Sequence, residues 1–147
     1  MARTYRLGVL RRAANVFMRA FVRLGLGPRS THLLTVVGRK SGVPRTTPVD
    51  LVEEGGRRWL VAPYGAVGWV HNVRAAGKVT LRRGRRVETV GVVEVGATES
   101  APILRRYLTK VAIVRPFFDV EPDSPDEDFV AEASRHPVFR ITEAAVD

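Results

Sequence analysis

The chain has 147 residues, 45% of them apolar, no cysteine and a formal net charge of +9. That length holds one core rather than several, the apolar share excludes a disordered chain, and the lack of cysteine excludes disulfides, thiolate metal sites and a cysteine nucleophile. No apolar run approaches the ~20 residues that span a bilayer as a helix.

The charge is unevenly placed. No acidic residue precedes Asp50, whereas Asp119, Glu121, Asp123, Asp126, Glu127, Asp128 and Glu132 crowd a late segment free of Lys and Arg. A net positive chain attracts nucleic acid, anionic lipid or a polyanionic ligand. The basic start lacks the uninterrupted apolar core and small-residue cleavage site of a secretory signal, so a cytoplasmic protein is expected.

Over residues 7–24, Leu10, Ala14, Phe17 and Phe21 recur at helical spacing with Arg12, Arg19 and Arg23 on the other side. Gly25, Gly27 and Pro28 end this amphipathic helix. It either packs across one end of the domain or rests on anionic lipid, which would place the protein peripherally at the inner face of the cell membrane. The expected organisation is thus an N-terminal amphipathic helix over 1–30 and a β domain over 31–147.

Extended runs follow at 32–37, 45–52 and 57–62, the last two joined by a turn at Glu53-Glu54-Gly55-Gly56. Pro48 interrupts the second run and predicts a bulge or an edge position there. A loop at 63–68 leads into a short helix over 69–76. Two further strands, 79–83 and 86–95, form a hairpin around Gly84. A helix capped by Thr98 or Ser100 then runs through Ile103, Leu104, Tyr107, Leu108 and Val111. The acidic segment reads as a loop followed by a short helix near 129–134, and 138–142 closes the chain as a strand. Hairpin links leave no room for the crossover helices of a parallel sheet. The fold class is therefore mainly β with helices (α+β), a six-stranded antiparallel barrel.

Gly38-Arg39-Lys40-Ser41-Gly42-Val43-Pro44-Arg45 lies between the first two strands. Two glycines allow a sharp bend with outward N–H groups, a shape that suits an anion, and Arg39, Lys40 and Arg45 can converge on one phosphate. The same residues also read as a solvated basic hairpin tip. The spacing is not that of a Walker loop.

His32, His71 and His136 show no metal-type spacing, no serine stands in a Gly-x-Ser-x-Gly elbow, and paired carboxylates occur only in the acidic segment. A binding site without a catalytic group fits an enzyme whose cofactor carries the reaction. Trp69 and Asn72 share one face of the short helix; they and the preceding Pro63-Tyr64-Gly65 serve either as core or as a flat wall for a ring.

The ordered set Leu34-Thr35-Val36-Val37-Gly38-Arg39-Lys40-Ser41-Gly42-Val43-Pro44-Arg45-Thr46-Thr47-Pro48, Val61-Ala62-Pro63 and Trp69-Val70-His71-Asn72 resembles the deazaflavin-dependent nitroreductase family, also described as quinone reductases dependent on reduced coenzyme F420. The resemblance implies a split β-barrel of the kind that binds flavin mononucleotide. It implies that Arg39, Lys40 and Arg45 grip the phosphate-bearing tail of coenzyme F420, with Ser41 and Gly42 shaping the turn. By the same resemblance Thr47, Pro48, Ala62, Pro63 and Tyr64 lie along the deazaflavin ring, and Trp69 and Asn72 complete the pocket. Tyr64 or His71 would supply a proton to a quinone-like acceptor. Members that activate nitroimidazole drugs carry a tyrosine cluster where this chain reads Arg115-Pro116-Phe117-Phe118-Asp119, without tyrosine, and Gly77 replaces a proline common after the short helix.

Two rivals stand beside this reading. A related barrel would hold flavin mononucleotide and purify yellow. A nucleic-acid binder would exploit the charge, but the basic hairpin Arg82-Arg83-Gly84-Arg85-Arg86 lacks the interleaved aromatics of single-strand binders, so no nucleic-acid partner is expected.

Overall fold

A computed structural model describes residues 29–144. The helix expected over 7–24, with its lipid-facing reading, lies outside the described residues. No helix among them is long and apolar enough to cross a membrane.

Six strands form a closed antiparallel barrel: β1 (Thr31–Val37), β2 (Pro44–Glu54), β3 (Arg57–Val61), β4 (Lys78–Arg83), β5 (Arg86–Glu94) and β6 (Val138–Ala144), in the order β1-β2-β3-β6-β5-β4. Three helices accompany them: α1 (Gly68–Ala76), α2 (Ala97–Lys110) and α3 (Asp126–Glu132), with short 3-10 turns at Ala112–Phe117 and Ala133–Arg135. The expected barrel is therefore the observed fold.

β2 and β5 are each shared between two neighbours. β2 pairs with β1 from Pro44 to Asp50 and with β3 from Leu51 to Glu54. β5 pairs with β4 up to Gly91 and with β6 from Val90 onward, with a register shift between Val90 and Val92. Of the bulge or edge position expected at Pro48, the bulge is absent, since the β1–β2 register runs unbroken through Leu33 opposite Pro48, and the edge alternative is met. Proline is tolerated because this half of β2 has no β3 residue paired beside it. The irregularity falls instead at Gly91, where a residue without a side chain eases the bend.

Alternation along the strands separates two cores. Leu34, Val36, Val49, Leu51, Leu60, Val79, Leu81, Val90 and Phe139 fill the barrel, and Val70 and Val73 of α1 plug one end. Val52, Trp59, Val61 and Val138 point outward and are covered by Leu104, Tyr107 and Leu108 of α2 and Phe129 of α3.

Helix ends differ from the sequence expectation. The α2 N-cap is Gly96, and neither Thr98 nor Ser100 caps it; the Ser100 hydroxyl instead donates back to the Val95 carbonyl at 3.5 Å. α3 begins at Asp126, earlier than expected, so Asp126, Glu127 and Asp128 occupy its first turn. Negative charge there is favoured by the helix dipole, which gives these carboxylates a helical setting in place of the loop expected for them.

Candidate functional site

The barrel topology carries the sequence-selected segments to one end. α1 meets the β1–β2 turn where β1 ends and β2 begins, β3 runs toward that end and its following loop leads into α1, and the β2–β3 and β4–β5 turns lie at the opposite end.

The β1–β2 turn is held by its own hydrogen bonds. Gly38 N–H donates to Val43 O at 2.8 Å, Gly42 N–H to Gly38 O at 2.8 Å, and Val43 N–H to the Ser41 hydroxyl oxygen at 3.1 Å. Gly42 adopts φ +69°, the left-handed region. Asn72 of α1, buried, ties the turn to the helix: its Oδ1 accepts both the Arg39 backbone N–H at 3.0 Å and Arg39 Nη1–H at 2.9 Å. The turn thus uses most of its amides internally, and does not present the full row of outward N–H groups expected from sequence. Lys40 and Ser41 keep amides without an acceptor among the described residues, and the Lys40 and Arg45 side chains are exposed with no acidic partner there.

The segment from β3 to α1 is also continuous in hydrogen bonds. Gly65 N–H donates to Ala62 O, Val67 N–H to Gly65 O, and the Val70 and His71 amides to Val67 O. The Ala62 side chain is buried in the barrel core, leaving only its backbone to face a ligand. Tyr64 is half-buried, edge-on to Phe117 with ring centroids 4.8 Å apart. Trp69 packs against the barrel core with its ring 6.3 Å from that of Phe139, while His71 is exposed on α1. Thr47 and Pro48 are half-buried, and the period of two puts them on opposite faces of β2: Thr47 shares the row of Val49 and Leu51, and Pro48 that of Val52.

Sequence reasoning overlooked what lies behind this segment. His136, buried, donates from Nδ1 to Pro63 O at 2.8 Å, while its Nε2 lies 3.2 Å from Glu132 Oε2. Its ring stacks on Phe118, centroids 3.7 Å apart. Glu132 Oε2 also accepts the Asp119 N–H at 2.7 Å, and Oε1 is 3.2 Å from Arg135. Burial pushes the His136 imidazolium below the usual histidine range, partly offset by the Glu132 carboxylate and the Pro63 carbonyl. Both ring nitrogens face acceptors, so one proton must lie between Nε2 and Oε2. In the sequence the only sign was a histidine four residues after a glutamate, which is common on helices.

The model of the family described as F420H(2)-dependent quinone reductase matches residues 9–117. The chain belongs to that family. It is accordingly an oxidoreductase that uses coenzyme F420. The F420H(2)-dependent quinone reductase fold is shared with a solved F420-H2 dependent reductase, FDR-A, at 26% identity over 78% of this chain and 95% of that one, TM-score 0.52. A structure described as a domain-swapped dimer aligns at 22% identity over 90% and 96% of the two chains, TM-score 0.57. The protein Atu2129 from Agrobacterium tumefaciens str. C58 aligns at 15% identity, covering 99% of this chain and 60% of its own, TM-score 0.60. The last two likenesses speak for the fold alone. No curated protein matches significantly.

Proposed function

We propose that this chain transfers a hydride from reduced coenzyme F420 to a quinone-like acceptor, with the β1–β2 turn holding the phosphate-bearing tail. When bound, the deazaflavin supplies two electrons as a hydride from ring C5, and the acceptor completes its reduction by taking up a proton. The residues of this chain bind, orient and exclude water. Lys40 and Arg45 offer the tail two cations and Lys40 and Ser41 two amides, all without competing partners among the described residues. Arg39 works from the side, since Asn72 fixes its guanidinium. Pro63, Tyr64 and Trp69 form the ring-side wall, where the contribution of Ala62 is its backbone. Tyr64 on that wall and His71 on the exposed face of α1 are the side chains able to deliver the proton.

The observation that supports this reading is the turn: an internally bonded bend with two exposed cations and two amides without an acceptor among the described residues suits an anion. Deazaflavin fluorescence titration tests it. Lys40→Ala and Arg45→Ala are each expected to weaken coenzyme F420 binding by about tenfold or more, the loss of one charge-assisted hydrogen bond at about 1.5–3 kcal/mol. Unchanged affinity in the double variant would remove the grip. Arg39→Ala is a poorer probe, because it also strips Asn72 of a donor.

A further inference from the structure

We infer that His136 is a positioning residue for the cofactor pocket: its Nδ1–H fixes the carbonyl of Pro63, and with it the Pro63-Tyr64-Gly65 wall, from behind. The inference rests on the proposed placement of the deazaflavin ring against that wall.

The observations converge from several elements. Pro63 has no N–H of its own, so its carbonyl is the one backbone polar group by which that residue can be held. His136 meets that carbonyl at 2.8 Å across 73 positions of sequence. The neighbouring Ala62 N–H donates to Pro137 O at 2.9 Å, and a side chain on Gly65 would come within 3.4 Å of Arg135 O. The stretch 135–137 thus backs the wall along its whole length. A lone histidine could rotate about χ2 and drop the carbonyl. Here Phe118 clamps one face of the ring and Glu132 holds Nε2. Glu132 is itself fixed by the Asp119 amide and Arg135, and Arg135 is also bound by the Asp119 carboxylate. Phe117, next to Phe118, touches Tyr64 edge-on. The Phe117-Phe118 pair therefore grips both the wall and the residue that holds it. An outer group that orients an inner one is a recurring device wherever a fraction of an ångström decides a reaction.

Two substitutions separate anchoring from bulk. His136→Asn places an amide N–H near the position of Nδ1 and gives up Nε2. His136→Gln reaches toward Glu132 and gives up the bond to Pro63. Both full-length variants are titrated with coenzyme F420 by fluorescence, and amide hydrogen exchange over residues 62–67 is followed in the unliganded proteins beside their melting temperatures. His136→Asn is expected to bind within about threefold of wild type, and His136→Gln about tenfold more weakly, the size of effect that one buried hydrogen bond can carry. Exchange over 62–67 should quicken in the Gln variant and not in the Asn variant, even where the two melt at the same temperature. Equal affinity and equal exchange in the two variants would overturn the inference. Should either variant fail to fold, nitrogen-15 spectra of the wild-type imidazole decide: His136 must carry its proton on Nδ1 and shift when coenzyme F420 is added, and a ring that does not respond overturns the role. Wild-type protein that binds no coenzyme would instead defeat the cofactor reading, while the exchange data still judge the anchor.

Discussion

Gly38 and Gly42 bound the same turn for different physical reasons. A Cβ on Gly42 would meet nothing within 4 Å, so the requirement there is its φ of +69°, and Gly42→Ala should cost about 1–2 kcal/mol through backbone conformation alone. A Cβ on Gly38 would stand 2.7 Å from the Ser41 hydroxyl oxygen and 3.3 Å from Val43 O. That hydroxyl accepts the Val43 N–H, so pushing it away undoes part of the turn. Gly38→Ala is expected to cost about 1–3 kcal/mol in urea unfolding, in the range of other overpacked sites. Ser41→Ala removes the clashing atom. The double variant should therefore be more stable than the sum of the singles predicts, by about 0.5 kcal/mol or more. Strict additivity would show that Gly38 is required for something other than room. The glycines were legible in sequence as turn residues; the clash was not, because it depends on where the Ser41 side chain turns.

Among the elements, α2 packs its apolar face on the barrel and adds one carboxylate that reaches two strands. Glu99 accepts Trp59 Nε1–H of β3 at 3.0 Å and pairs with Arg140 of β6 at 2.7 Å, bridging two strands and one helix. The Trp59 hydrogen bond, with Arg140 adding to it, holds the Glu99 carboxyl below the usual glutamate range. A carboxyl whose folded-state pKa is depressed contributes stability that is present above its unfolded value and lost as the pH falls through the folded one. Glu99→Gln should thus cost at most about 1 kcal/mol near neutral pH, as partly exposed ion pairs do. It should also flatten the decline of stability below the ordinary carboxylate range, measured by urea unfolding at a series of pH values. An unaltered acid limb would show that Glu99 does not contribute to it. The strands themselves were legible from apolar alternation and turn residues, and every one is found within a few residues of where the sequence places it. The cap of α2 and the bridging by Glu99 were not, because they depend on which outward strand face the helix covers. The anchor on Pro63 was hidden for the same reason, since its two halves are distant in sequence and meet only when β6 closes on β3.

At the scale of the whole molecule, a net charge of +9 admits two explanations for anion binding, a local grip or a diffuse basic field. Geometry separates them. The β1–β2 turn lies at one end of the barrel, and the basic β4–β5 hairpin with the β2–β3 turn at the other. The far-end arginines are largely engaged: Arg58 with Glu88, Arg106 with Glu54, Arg82 with Gly84 O and Arg83 with Thr31 O. Arg85 and Arg86 are the exposed remainder of the hairpin. From the turn to that end is about 20 Å along β1, at 3.3–3.4 Å per residue. The Debye length at physiological ionic strength is about 8 Å, so charges that far apart are screened from each other. Removing Arg85 and Arg86 together is therefore expected to leave coenzyme F420 affinity within about twofold at that salt, whereas removing Lys40 and Arg45 changes the net charge equally and abolishes tight binding. Fluorescence titration of the two double variants side by side provides the comparison. Equal losses in both would mean that the field of the whole chain, and not the bend between β1 and β2, draws the anion in.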